Sequence, residues 1–438
     1  MIKIAATCLN SPAGVSAFLQ FGIVFGFAIA SYLNMQWLKS YTIVYFSVVM
    51  VISFIVIIIR RPWTKFLIGR IDILFCIFFL LAFISAITNW TPSTYYYILL
   101  SPVFFITPFA LGRIMNDKDL AVFIKLVLMM GVALLILMPI EHHRIGNQSL
   151  GSSLNQIFSQ SHGVMLAGLL FIPTLLALIS RILITDSNNT LRQNLILYLL
   201  LGFLIIALIW INSRGSIIAG SISVFLLYLY SSSSRISRKI YTVAFMALFI
   251  IIGISNIPAL NNKKNISEIG SPVPVFLNEK LEPSHQKNEP ILGRKSCESI
   301  VNSVTDRWIH YQTAVAIFYE HPIIGVGANR YGEFSCTGPG SFPHSSILQV
   351  LAELGLIGFS IYASMLLISL QTVHRYFCTT SDVFKKSVIG WLLAYMSFQL
   401  IVSQLYGNYF LSAGIYFVLG IAARVFGDES KKIIGTSE

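Results

Sequence analysis

The sequence has few charged residues, which make up 11% of its 438 positions, whereas a soluble domain has roughly 25%. This deficit excludes a water-exposed surface of ordinary size. Hydrophobic residues make up 55% of the chain, and they occur in blocks rather than in alternation. Several blocks run for about 18 residues or more without a charge, which is enough for a helix to cross roughly 30 Å of hydrocarbon. An all-α, polytopic membrane protein is therefore predicted, because only helices and closed barrels satisfy their backbone in lipid.

Cysteine is also scarce, with five residues, and none lies in a C-x-x-C or H-x-x-x-H spacing that would indicate a metal site. The loops predicted to lie outside the cytoplasm also lack a D-x-D motif or a paired-carboxylate cluster. Neither a metal nor a cofactor is expected. Cys297 and Cys336 lie between 255 and 343, a stretch with few long apolar runs that is predicted to face an oxidising compartment. We predict a disulfide between them, with two free thiols as the alternative.

About twelve transmembrane helices are predicted from the apolar blocks. Helices one to nine fall in 1–254, a large loop with at least one helix (304–320) occupies 255–343, and helices ten to twelve with a short tail occupy 344–438. The block 95–112 contains Pro102 and Pro108 and is expected to be kinked. The spans, poor in charge near their centres, are placed near 15–34, 41–59, 71–88, 95–112, 120–140, 163–184, 193–211, 216–231, 240–254, 345–371, 386–404 and 409–425.

The net charge of +12 is explained by topology rather than by a nucleic-acid partner. Cytoplasmic connections carry an excess of Lys and Arg, and alternate connections differ strongly here. The connections on the side with few Lys and Arg residues hold Lys39, Arg144 and Arg214. This asymmetry predicts an inner-membrane protein with both termini in the cytoplasm and the large loop in the periplasm. The rich side holds Arg60, Arg61, Lys65, Arg70, Arg113, Lys118, Arg181, Arg192, Arg235, Arg238, Lys239, Arg375, Lys385 and Lys386, and the tail adds Arg424, Lys431 and Lys432.

Three residues carry candidate chemistry on the outer side. Arg214 lies where a span reaches the external face and either snorkels to water or binds an anion, since a guanidinium matches phosphate oxygens. Arg307 lies in the first turn of the loop helix and is either an anion ligand or a surface residue paired with Asp306 or Glu320. His344, just before a span, is either structural or a general base near neutral pH.

The residues around them form an ordered set of motifs. Ser213-Arg214-Gly215 is followed by Arg307, then by H-P-x-x-G-V-G-x-N from His321, and then by His344 with L-x-x-x-x-E-x-G-x-x-G from Leu348. This order resembles the O-antigen ligase and polymerase superfamily over roughly residues 195–370, with one departure: Ser345 stands where the family commonly has Asn. The resemblance implies a membrane glycosyltransferase that uses a polyprenyl-diphosphate-linked glycan.

The resemblance also implies roles for these residues. Arg214 and Arg307 would bind the diphosphate of an undecaprenyl-diphosphate-linked donor, without a metal, and His344 would activate the acceptor hydroxyl. The glycines from Gly325 to Gly358 are interpreted as turn and packing positions. Ligation of O-antigen to lipid A core is placed first, before polymerisation of lipid-linked repeat units and protein O-oligosaccharyl transfer. The alternative of another class is a polysaccharide transporter or flippase.

Overall fold

A computed structural model describes residues 68–91, 101–145, 163–184, 191–211, 214–230, 306–335, 341–405 and 412–433, with single positions at 55, 94, 98, 243, 408 and 409. These segments contain helices and no strand. The predicted spans 15–34, 41–59 and 240–254, apart from isolated positions, lie outside the described residues. So do Cys297 and Cys336, and their disulfide stays a prediction.

Eleven helices are defined within the described segments. Apolar blocks produce the long ones, and capping or glycine residues delimit several. The helices are α1 (Arg70–Thr88), α2 (Thr107–Ile114), α3 (Asp117–Ile145), α4 (Gly163–Ile184), α5 (Leu191–Ile211), α6 (Arg214–Tyr230), α7 (Asp306–Glu320), α8 (Tyr331–Phe334), α9 (Ser346–Thr379), α10 (Val383–Leu405) and α11 (Ala413–Ile433).

Four of the described helices are long and apolar enough to cross a membrane: Arg70–Thr88, Asp117–Ile136, Ser346–Thr379 and Val383–Leu405. The all-α, membrane character is thereby confirmed, and the number of twelve spans remains a prediction. The helix predicted within the large loop is present as α7. The predicted block 95–112 contains a π-helical turn at Pro102–Ile106, directly before α2. The Thr107 hydroxyl donates to the Pro102 carbonyl at 2.8 Å, so the distortion has its own polar contact.

The helices pack around one large apolar core. Its fully buried aromatic residues include Phe78, Phe105, Tyr395 and Tyr416. Trp391 of α10 is also buried, and its indole N–H donates to the carbonyl of Pro173 in α4 at 3.0 Å. A buried indole needs such a partner, so this bond fixes α10 against α4. The core therefore holds α9 and α10 in a defined position for the loops at their ends.

The two ends of this bundle differ in charge. At one end, Arg113 pairs with Asp72 at 3.0 Å, and Asp117 pairs with Lys385 at 2.8 Å and with Arg424 at 2.6 Å. We call this the basic end. At the other end, the loop after α7 meets the start of α9 and the end of α10, and we call this the loop end. Cations predicted to be cytoplasmic thus meet at the end opposite His344.

Candidate active site

The loop after α7 is joined to α9 by backbone hydrogen bonds at a break in that helix. Gly355 has φ +63° inside α9, and Gly325 in the loop has φ +68°. Both angles favour glycine, which has no Cβ to clash. A Cβ on either residue would also collide with the other segment's backbone. The bonds run from the amides of Val326, Gly327, Leu356 and Ile357 to the carbonyls of Ala352, Glu353, Pro322 and Ile323, at 3.0, 2.9, 2.8 and 3.3 Å.

Glu353, two turns into α9 and 1% exposed, is the polar centre of this junction. Its carboxylate accepts the backbone N–H of Asn329 at 2.6 Å and that of Tyr331 at 3.4 Å. It also accepts the Gln349 side-chain amide at 3.1 Å and the Tyr409 hydroxyl at 3.0 Å. A buried carboxylate is tolerated when donors surround it in this way. Glu353 therefore ties the loop, α9 and the segment before α11 together.

The other side of the loop rests on the end of α1. The backbone N–H of Ala328 donates to the Ser85 hydroxyl at 3.1 Å. Arg330 donates to the side chain of Asn89 at 3.3 Å and pairs with Glu333 at 2.8 Å. The motif from His321 onward is thus fixed from two sides, and Arg330 serves to hold the loop.

His344 lies where this junction meets the start of α9. Its backbone has φ +56°, and Asn329 in the facing loop has φ +59°. Such angles are uncommon outside glycine and are concentrated at functional sites. The next residue, Ser345, caps α9 by accepting the Leu348 N–H at 3.3 Å, and it donates to the Gln404 side chain at 2.9 Å. Because Ser and Asn are both good N-caps, the departure at Ser345 preserves the cap.

A second histidine lies beside His344. The His310 ring of α7 meets the His344 ring nearly edge-on, with centroids 5.4 Å apart. The Tyr331 hydroxyl donates to the His310 carbonyl at 3.0 Å and lies 3.0 Å from His310 Nδ1. Since the hydroxyl hydrogen goes to the carbonyl, we assign the Nδ1–H as the donor to the hydroxyl oxygen. Burial raises the pKa of Tyr331 above its usual value, which keeps the hydroxyl a donor.

The three predicted site residues are described to different extents. Arg307 is exposed and lies on α7 three residues before His310, hence on the same face about one turn away. Because the His310 ring contacts the His344 ring, α7 lies beside His344. Arg214 is the first residue of α6, and its side chain is not among those described. A diphosphate clamp formed by Arg214 and Arg307 stays a prediction.

Glu353, His310 and Tyr331 did not emerge as site residues from the sequence. The expectation that the spans are poor in central charge did not single out Glu353, near the start of α9, or Lys125 in α3. An ionisable residue within an apolar span is itself a functional signal, so Glu353 was detectable. His310 and Tyr331 were not, because their contacts join segments whose packing the sequence does not reveal.

A comparison of the sequence with known protein families agrees with this geometry. Residues 197–363 match the model of a family described as O-Antigen ligase. That range contains Arg214, Arg307, His344 and Glu353, and it includes the whole junction between the loop and α9. This match supports the resemblance of the chain to the O-antigen ligase and polymerase superfamily. No match was found among curated proteins.

Members of this superfamily share a general chemistry. Its members are membrane glycosyltransferases or ligases, and they imply a lipid-linked glycan donor and a glycan acceptor. The match therefore supports O-antigen ligase or polymerase-type glycosyl transfer at a general level. The loop end, with His344 at the entry to α9, is the candidate active site of this chain.

Proposed function

We propose that this protein transfers a glycan from undecaprenyl diphosphate to an acceptor sugar at the periplasmic face of the inner membrane. Ligation to lipid A core is the first candidate, and polymerisation of repeat units is the alternative. The position of His344 carries the proposal. Its backbone is held in a left-handed conformation between the α9 cap and the α7 helix, where an imidazole is fixed at the mouth of the bundle.

The proposed reaction is a displacement at the anomeric carbon. The acceptor hydroxyl gives its proton to His344, and its oxygen forms the new bond to that carbon. The bond from the anomeric carbon to the phosphate oxygen breaks, and undecaprenyl diphosphate leaves with the electron pair. Arg214 and Arg307 stabilise the charge on the leaving group, which is where fixed cations accelerate a reaction most. No metal is required in this scheme, and attack in line inverts the anomeric centre.

Complementation in two hosts tests this proposal, one host lacking its ligase and the other lacking its polymerase, each with compatible glycans. Wild type is expected to restore capped core in the ligase-null host, whereas Arg214→Ala and Arg307→Ala restore little. Arg375→Ala, which removes an exposed cation near the other end of α9, is the matched control. Lipopolysaccharide is read on a gel and membrane expression on a blot.

The other outcomes of that experiment are equally specific. If the chain restores a ladder in the polymerase-null host alone, the proposed glycan transfer stands. The acceptor is then a lipid-linked repeat unit instead of lipid A core. Full activity of both arginine variants at normal expression would exclude the proposed binding of the diphosphate by Arg214 and Arg307. Failure of the wild type in both hosts, with compatible glycans present, would contradict glycan transfer to either acceptor.

We further propose that His310 is a positioning residue for His344. Tyr331→Phe removes the hydroxyl that fixes the His310 ring, but it keeps the backbone bond from residue 331 to Glu353. We expect kcat to fall by up to roughly 100-fold, as for a displacement of about 1 Å, with KM for the donor unchanged. Steady-state kinetics on purified enzyme measures both constants.

Tyr319→Phe is the control for this variant, because Tyr319 lies on α7, the helix of His310, and is 77% exposed. It is expected to match the wild type in both constants. Thermal unfolding of each variant shows whether the protein is intact at the assay temperature. An unchanged kcat in Tyr331→Phe would remove His310 from the mechanism.

A further inference from the structure

A cavity of about 450 Å³ opens at the basic end, between α3, α10 and α11. Tyr376, near the end of α9, lines it, whereas His344 precedes the start of that helix. The part of α9 beyond its break at Gly355, from Leu356 to Tyr376, corresponds to roughly 30 Å of helix. The cavity is therefore separate from the candidate active site by about the thickness of a membrane.

The lining of this cavity changes from charged to apolar along its depth. Most of the charged residues lie towards the basic end of their helices: Asp117 and Lys118 of α3, Asp382 and Lys385 at the start of α10, and Arg424 of α11; Lys125 lies further along α3. The apolar residues lie further into the same helices. They include Leu120, Val122, Val388, Ile389, Leu392 and Ile421. A phospholipid has the same order of polarity, with a charged head group followed by apolar chains.

The cations that line the cavity differ in whether they form ion pairs with described residues. Lys385 and Arg424 both pair with Asp117, so these charges largely balance. Lys118 and Lys125 also line the cavity and are exposed, and neither forms an ion pair with any described residue. An excess of positive charge thus remains on one face of α3.

Lys125 has an unusual position for a lysine. It lies eight residues beyond Asp117, about 12 Å along the helix, within the candidate span Asp117–Ile136. A cation is costly at that depth unless it snorkels or finds a partner. Lys118 is seven residues away on the same face of α3. Both side chains can therefore approach one anion placed between them at the cavity mouth.

We propose that this cavity binds an anionic membrane phospholipid. Lys118 and Lys125 contact the oxygens of its phosphate group, and the glycerol and the start of one chain occupy the apolar part. The phosphate chemistry alone would also suit a soluble phosphate. The apolar wall favours the lipid, because α3 and α10, two of the candidate membrane spans, supply most of it. Basic pockets between transmembrane helices are known to bind anionic head groups. The proposal does not depend on the glycan-transfer mechanism.

Thermal unfolding of the full chain in detergent tests the proposal. The added probes are phosphatidylglycerol, phosphatidylcholine and inorganic phosphate, each titrated separately. A ligand that binds only the folded state raises Tm with its concentration. For the wild type we expect phosphatidylglycerol to raise Tm, and the other two probes to have little effect. The Lys118→Gln/Lys125→Gln variant should lose most of that rise, and Lys118→Arg/Lys125→Arg should keep it.

The matched control is Arg181→Gln/Arg375→Gln. It removes two exposed cations near the same end of the bundle, neither of which lines the cavity. It should respond to phosphatidylglycerol as the wild type does. An equal loss in this control would mean a general surface-charge effect and would overturn the site. An equal response to phosphatidylcholine, or to inorganic phosphate alone, would overturn the anionic lipid as its occupant.

Discussion

Replacement of Glu353 by alanine is expected to lower the stability of the fold and to abolish glycan transfer. A buried donor left without an acceptor costs roughly 1–3 kcal/mol, and this change removes the acceptor of four donors. The Tm should therefore fall substantially, and the loop that faces His344 should lose its position. The donors are the backbone amides of Asn329 and Tyr331, the side-chain amide of Gln349 and the hydroxyl of Tyr409.

Two further variants make the Glu353 test specific. Glu353→Gln keeps one acceptor oxygen at the same place, so it should retain part of the stability lost in the alanine variant. Glu320→Ala removes an exposed carboxylate from α7 and should leave Tm unchanged. Differential scanning fluorimetry in detergent compares all three with the wild type. Equal Tm values for Glu353→Ala and Glu320→Ala would show that the carboxylate does not hold the junction.

Replacement of His344 by asparagine is expected to lower turnover roughly 10²–10⁴-fold, the usual contribution of a general base, with little change in Tm. Asparagine tolerates the left-handed backbone angle of this residue better than most side chains do. The substitution therefore removes the imidazole and keeps the local backbone. Initial rates of glycan transfer in proteoliposomes, with a purified lipid-linked donor and an acceptor, measure the effect.

His344→Gly separates the backbone from the side chain in the same experiment. Glycine adopts a positive φ angle without strain, so this variant should unfold at the wild-type temperature or slightly above it. It should be as inactive as the asparagine variant. A wild-type rate in either variant would exclude His344 as the base. A large fall in Tm for both variants would instead assign His344 a structural role, through its contacts with Phe342 and His310.

The helices were more predictable than the site. Hydropathy located the block 163–184 at the bounds of α4, because an apolar run of that length has few alternatives to a membrane helix. It placed the end of the predicted span 345–371 at residue 371, whereas α9 continues to Thr379. Hydropathy marks the end of the apolar part of a helix, whereas the backbone hydrogen bonds of the helix continue beyond that part.

Motif order identified His344 and Arg307 from the sequence, but not what surrounds them. The contacts of His310 with Tyr331 and His344 join residues far apart in the chain, and no periodicity encodes them. Glu353 is the glutamate of the motif that begins at Leu348, yet its four donors come from three separate segments. A single sequence shows which residue types are present, and only the packing shows which of them meet.

The paired backbones at the break in α9 have a consequence for sequence variation. Four main-chain hydrogen bonds fix the loop from Pro322 to Gly327 against that helix. Ile323 and Ile324 lie in the middle of this segment, and their side chains are 64% and 68% exposed. Their identity is thus uncoupled from the geometry of the junction. Related chains are free to change these two positions, at the rim of the candidate site, without displacing Glu353 or His344.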